Sequence, residues 1–188
     1  MPTVTVFASS GANVTGVGTI AWADTQNILI SDNNYATAAL TEADSVSNYL
    51  FASSFMIVVS GGARIDGITV NIERSEASVS AGSLSDFRVS LVKAGAIQSE
   101  NKASATVWPT SDASASYGGT TDLWGTTWTV GQIQAAGFGV MLAVIKSNDA
   151  NNETARVDRV GVSIAYATTF GISGRQSYTP SLCSLGAG

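Results

Sequence analysis

Gly137–Ile145 (GFGVMLAVI) and Val157–Tyr166 (VDRVGVSIAY) are the two most hydrophobic stretches of the chain. In the first, Phe138, Val140, Leu142 and Val144 fall on one face of an extended backbone; in the second, Val160, Val162, Ile164 and Tyr166 do the same. Alternation with a period of two marks β-strands, whose successive side chains point to opposite faces. The other faces are also mild: Gly139, Met141, Ala143 and Ile145, and Gly161, Ser163 and Ala165. Strands apolar on both faces belong in the middle of a sheet, covered on both sides. Lys146–Arg156 (KSNDANNETAR) between them is polar and rich in Asn, so the pair reads as an antiparallel hairpin at the centre of a β-sandwich.

Outward from this pair the chain keeps the same grammar. Ala63–Ser75 (ARIDGITVNIERS) sets Ile68, Val70 and Ile72 against Thr69, Asn71 and Glu73, with Ile65 out of phase. An extra residue at Asp66–Gly67, a β-bulge, accounts for the slip. Phe87, Val89 and Leu91 mark another strand, with Arg88 and Ser90 pointing outward. Thr3–Phe7, Asn27–Ile30, Tyr35–Leu40, the apolar run Tyr49–Val59 and Ala105–Trp108 complete the strand candidates. Ser31–Asn34 (SDNN) has turn chemistry, and Ala94–Ser104 and Thr110–Thr121 read as loops. Thr129–Ala136 reads as one short helix, with Thr129 as its cap and Gln132 completing a capping box. The fold class expected is all-β: an antiparallel β-sandwich of jelly-roll type with one short helix.

The composition fits one domain of 188 residues with an adequate core. Charged residues make up only 12% of the chain, against roughly 25% in a typical soluble protein. Gly, Ser, Thr and Ala fill the difference, which suits a surface covered by neighbours. The net charge is −5 and the nine basic residues are scattered, so nucleic acid has no electrostatic footprint here. The first residues, MPTVTVFASS, lack a basic n-region and a long apolar stretch, and no run of about 18 apolar residues follows. Neither export by a standard signal nor a membrane span is expected.

The residues offer little for catalysis. There is no histidine, which removes the commonest general base and metal ligand. The single cysteine, Cys183, has no basic neighbour in sequence and forms no disulfide framework. No catalytic, cofactor-binding or metal site is assigned. Asp32, Asn33 and Asn34, or Asn148, Asp149, Asn151, Asn152 and Glu153, carry the hard oxygens calcium prefers, but ordinary Asx-rich turns explain them more simply. Asp44, Asp66, Asp86 and Asp158 are carboxylates that a glycosidase would pair across a cleft. Arg64, Arg88, Arg156 and Arg159 lie beside three of them, so salt bridges and turn caps are the simpler account. Trp108, Tyr117, Trp124 and Trp128 have two readings: core packing, or a platform on which a glycan or a partner stacks.

The order of local motifs resembles a jelly-roll domain found in virion proteins of tailed bacteriophages. The motifs are Trp22 with Ser31-Asp32-Asn33-Asn34-Tyr35-Ala36-Thr37, then Tyr49-Leu50-Phe51 and Phe55, then Gly62-Ala63-Arg64-Ile65-Asp66-Gly67-Ile68-Thr69-Val70. Asp86-Phe87-Arg88-Val89-Ser90-Leu91, Tyr117-Gly118-Gly119 with Leu123-Trp124-Gly125, Phe138-Gly139-Val140 and Val157-Asp158-Arg159-Val160 with Tyr166 continue the pattern. The resemblance implies a non-enzymatic structural protein of the virion, a capsid decoration (cement) protein foremost. A tail, baseplate or fibre component binding glycans or a receptor is the alternative. It implies the major capsid protein or other virion proteins as partners, and copies of the chain itself, in a trimer for instance. It carries no catalytic residues to transfer. Residues 21–167 are then the jelly roll, and residues 1–20 and 168–188 are extended arms. Phe170, Tyr178, Leu182 and Leu185 are the apolar residues with which the second arm would hold a neighbouring subunit.

Overall fold

The structure, a computed structural model, describes residues 1–77, 82–147 and 151–168. Among these the chain forms ten strands: β1 (Thr3–Phe7), β2 (Ser10–Val14), β3 (Ala36–Leu40), β4 (Tyr49–Ser53), β5 (Ala63–Ala77), β6 (Leu84–Lys93), β7 (Ala96–Ile97), β8 (Ala113–Gly119), β9 (Gly139–Lys146) and β10 (Glu153–Thr168). A 3-10 turn covers Thr25–Ile28 and a short helix, α1, covers Val130–Gln134. One sheet runs β1-β10-β5-β8, with β3 also on β10; the other runs β2-β4-β9-β6-β7. Every pairing between these strands is antiparallel. With β1 and β2 set aside, β3-β10-β5-β8 packs on β4-β9-β6-β7, which is the strand order of a jelly roll.

The two apolar stretches are indeed central strands, but they are not a hairpin. Met141 of β9 lies between Phe51 and Ser90, whereas Val162 of β10 lies between Val6 and Val70. The chain changes sheet between them, so they face each other across the core. Phe138, Val140, Leu142 and Val144 join Val160, Val162 and Ile164 in one buried cluster. Alternation shows which side chains are buried, but it does not name the neighbouring strand. The second face of β9 is covered too: Met141 and Ala143 form a smaller cluster with Tyr49 and Val92.

Residues 1–20 do not form an arm. Thr3–Phe7 pairs with Gly161–Ala165 of β10, and Ser10–Val14 pairs with Tyr49–Ser53 of β4. Two β-branched or small-residue strands with open edges beside them gain ladder hydrogen bonds that an isolated arm would lack. Residues 169–188, including Cys183, Phe170, Tyr178, Leu182 and Leu185, lie outside the described residues.

Three register shifts shape the long strands. Ala165 pairs with Gly67 and Tyr166 with Ile65, so Asp66 is the extra residue expected there. A second shift isolates Asp158 on β10. A third isolates Phe87 on β6. The last overturns the expected facing of Phe87, while Val89 and Leu91 enter the main core as expected. Phe87 is 40% exposed, while Asp86 and Ser90 are buried. The bulge turns Asp86 into the core and Phe87 out of it.

Other expectations need correction. Asn27 and Ile28 lie in the 3-10 turn and Leu29 and Ile30 in a bend after it, rather than in a strand, with Asp24 before the turn in the left-handed region at φ 51. Ala105–Trp108 is not a strand. Conversely, β8 lies inside the stretch expected to be a loop, because its residues (ASASYGG) carry almost no hydrophobic signal.

Candidate functional site

The sandwich has an open seam where β8 ends one sheet and the irregular chain after β7 ends the other. A groove of about 500 Å³ lies in that seam. Residues 113–118 of β8 form one wall; Ser104, Thr106, Val107 and Pro109 form the other; Arg74 and Tyr117 lie at its base. The second wall is held to β6 by backbone bonds, Asp86 N–H to Ser104 O at 3.2 Å and Trp108 N–H to Leu84 O at 2.8 Å.

Beneath the groove sits a buried polar hub centred on Asp86. Its carboxylate pairs with the Arg74 guanidinium. It also accepts Trp108 Nε1–H at 2.9 Å, Tyr117 O–H at 2.8 Å and Ser104 N–H at 3.0 Å. Arg74 lies over the Trp108 ring at 4.7 Å and near that of Tyr117 at 5.8 Å. An ion in the core costs several kcal/mol of desolvation, roughly offset only when its lone pairs are all engaged. Here four donors engage one carboxylate. Burial pushes the Tyr117 phenol well above its ordinary range, and the charge of Asp86 pushes it further.

The four aromatics expected as alternatives of core or platform are core. Trp108, Tyr117, Trp124 and Trp128 are 2%, 6%, 1% and 6% exposed. Their polar tips are also used: Trp124 Nε1–H donates to Ile68 O at 2.8 Å and Trp128 Nε1–H to Leu123 O at 3.0 Å. Gly118 leaves room for the first of these bonds. A Cβ there would stand 2.5 Å from Ile68 O and 2.6 Å from Trp124 Nε1. Rings so enclosed offer no face to a sugar, and the glycan platform built on them is withdrawn.

The carboxylates also find their places. Asp66 pairs with Arg64 at 2.6 Å, as expected. Asp86 takes Arg74 on the facing sheet rather than its neighbour Arg88. Asp158, buried at its bulge, accepts the backbone N–H groups of Asp32 and Asn33, both at 3.3 Å. Asp32 in turn accepts Asn34 N–H at 3.1 Å, which makes Ser31–Asn34 an Asx turn docked on β10. Among the described residues no group of three or more His, Cys, Asp or Glu side chains is placed to hold a metal. No helix among them is long and apolar enough to cross a membrane.

A second surface feature was not singled out in the sequence. The run Tyr49–Val59 is strand only to Ser53. Ser54 and Met56 then adopt positive φ, 59° and 45°, which breaks the ladder. Beyond the break, Phe55, Ile57 and Val59 point inward at 3%, 5% and 6% exposure; Met56 and Val58 point outward at 80% and 81%. Phe55 packs edge-on against Phe138, with centroids 5.9 Å apart. The Gln134 side-chain amide reaches the same segment, its Nε2–H donating to Val59 O at 3.1 Å. The result is a pinned ridge presenting two large apolar side chains to the outside. The five consecutive apolar residues Phe55–Val59 were the available signal, since a surface segment normally alternates with polar residues.

No protein-family model matches the chain, and no curated protein matches it. Among solved structures, one described as "CBM4 structure and function" aligns with 84% of this chain and 92% of its own, at 9% identity and a TM-score of 0.42. At that level the likeness says nothing about what this chain binds.

Proposed function

We propose that this chain is a non-catalytic structural protein of a tailed-bacteriophage virion, a decoration protein that binds the outer shell and neighbouring copies through its sandwich surface. The observation that carries the reading is the ridge at Met56 and Val58. Two large apolar side chains stand in water at 80% and 81% exposure, on a backbone anchored by three buried neighbours. A pinned apolar ridge on a rigid fold is the geometry of a contact surface. The low charge of the chain, 12%, supports it, since little of the surface is specialised for water. The resemblance to virion jelly rolls supplies the setting. The work is mechanical: apolar surface buried between shell subunits resists their separation.

The test is a pair of virion preparations, one carrying the native chain and one carrying Met56→Asp with Val58→Asp. The variant chain should fold with an unchanged melting temperature but fail to sediment with shells, and its virions should lose resistance to heat and osmotic shock. Normal sedimentation of the variant would overturn the ridge as the contact. Intact heat resistance in virions lacking the chain altogether would overturn the decoration role, and lost infectivity beside it would indicate a tail part.

A further inference from the structure

The groove beside β8 has the make-up of a ligand site, which the ridge at Met56 and Val58 does not explain. Its volume of about 500 Å³ lies in the range that holds small ligands. Arg74 and Lys102 are the charged residues of its lining, and both are cations. Asp86, Glu100 and Asp122, the carboxylates that pair with them, are not part of the lining. The chain carries 14 acidic residues against nine basic ones, so this choice of cations runs against its composition. Ser104, Thr106, Ser114 and Ser116 bring hydroxyls to both walls. Ser116 donates to Asn71 Oδ1 at 2.7 Å and keeps its lone pairs for a further donor. Val107 and Pro109 bring apolar surface to one wall.

Arg74 is fixed before any ligand arrives. Its Nη1 pairs with Asp86 Oδ1, and its guanidinium lies over the Trp108 ring at 4.7 Å. Asp86 Oδ2 is engaged by Tyr117 O–H and Ser104 N–H. The pair with Asp86 therefore runs through one corner of a fork that carries five N–H donors. Such a fork takes a planar carboxylate through two parallel bonds. Lys102 adds a second charge, held in place by Glu100 at 3.1 Å and Asp122 at 2.8 Å.

We propose that the groove binds a carboxylate-bearing oligosaccharide, a short uronate chain. One carboxylate lies on the Arg74 fork, the sugar hydroxyls bond the Ser and Thr side chains of the walls, and the C–H face of a ring rests on Val107 and Pro109. An aliphatic acid would leave the hydroxyl walls without partners, and a neutral sugar would leave the cations without one; groups desolvated without a partner cost affinity. The mode relies on polar donors and needs no exposed aromatic ring. It stands independently of the virion reading.

Titration calorimetry of the full chain against trimers of galacturonate, glucuronate and mannuronate, each as free acid and as methyl ester, tests it. At least one acid should bind, and at least about tenfold more tightly than its ester. Val107, half exposed on the wall, is the place to add a like charge. Val107→Glu should keep the native melting temperature and weaken binding at least about tenfold, while Val107→Gln stays within about threefold. Thr106→Glu, exposed on the same wall, repeats the test if Val107→Glu fails to fold. Absence of binding by all the acids at millimolar concentration overturns the proposal. So does an ester that binds as tightly as its acid. Binding that the glutamate variants leave intact puts the ligand elsewhere and overturns the groove as its site.

Discussion

Arg74 on β5 and Asp86 on β6 form an ion pair that joins the two sheets through the core. Both side chains are almost wholly buried, at 6% and 0% exposure. The pair closes the sandwich beneath the groove beside β8. Removing one partner strands a buried charge, while removing both strands the other donors around Asp86.

Arg74→Met should therefore destabilise the fold by about 3–5 kcal/mol. The double change Arg74→Met with Asp86→Leu should recover part of this, not all, because Trp108, Tyr117 and Ser104 N–H then lack their acceptor. Urea unfolding of the two single variants and the double variant measures the coupling. Additive losses would show that the pair is not coupled.

Tyr117 should make the protein sensitive to alkali. Its phenol is held neutral when folded, by burial first and by Asp86 second. Unfolded, it ionises near pH 10. A group with a raised folded pKa contributes stability that is full below the unfolded value and lost as pH rises above it. Stability should fall above about pH 10 by up to about 1.4 kcal/mol per pH unit from this residue. Tyr117→Phe should flatten that limb, at a loss of about 1–2 kcal/mol near neutral pH for the missing hydrogen bond. Melting temperatures from pH 7 to 11 read both effects.

Gly118→Ala tests the close approach beneath β8. The position has φ +76 and a Cβ would meet Ile68 O at 2.5 Å. The expected loss is more than about 2 kcal/mol, from left-handed strain plus a displaced Trp124 indole. A shift of tryptophan emission toward the red should accompany it; an unchanged melting temperature would contradict the geometry.

Thr129→Ala removes the cap of α1, where the side chain accepts Gln132 N–H at 3.2 Å and Gln132 returns a bond to Thr129 N–H at 3.0 Å. The loss should be about 1 kcal/mol, confined to this turn. Thr129→Asp should restore most of it, and chemical denaturation of the three proteins distinguishes the cases.

Local chemistry made a good part of this legible in one dimension. The capping box at Thr129 and Gln132, the phase slip at Asp66, the strand Ala36–Leu40 and the two-sided apolar pattern of β9 all depend on residues within a few positions of one another. Dihedral preference and periodicity act at that range, so the chain order alone determines them. What it left open depends on contacts between distant residues. β9 and β10 part into different sheets because their neighbours, Phe51, Ser90, Val6 and Val70, lie far away in sequence. β8 passes for a loop because an edge strand of Ala, Ser and Gly carries little side-chain signal; its ladder with β5 makes it a strand. Trp108 and Tyr117 read as core first and as a platform second, and it is Arg74 and Asp86, arriving from facing sheets, that enclose them. Burial is a property of the assembled sheets, and only packing decides which apolar residues, such as Met56 and Val58, are left outside.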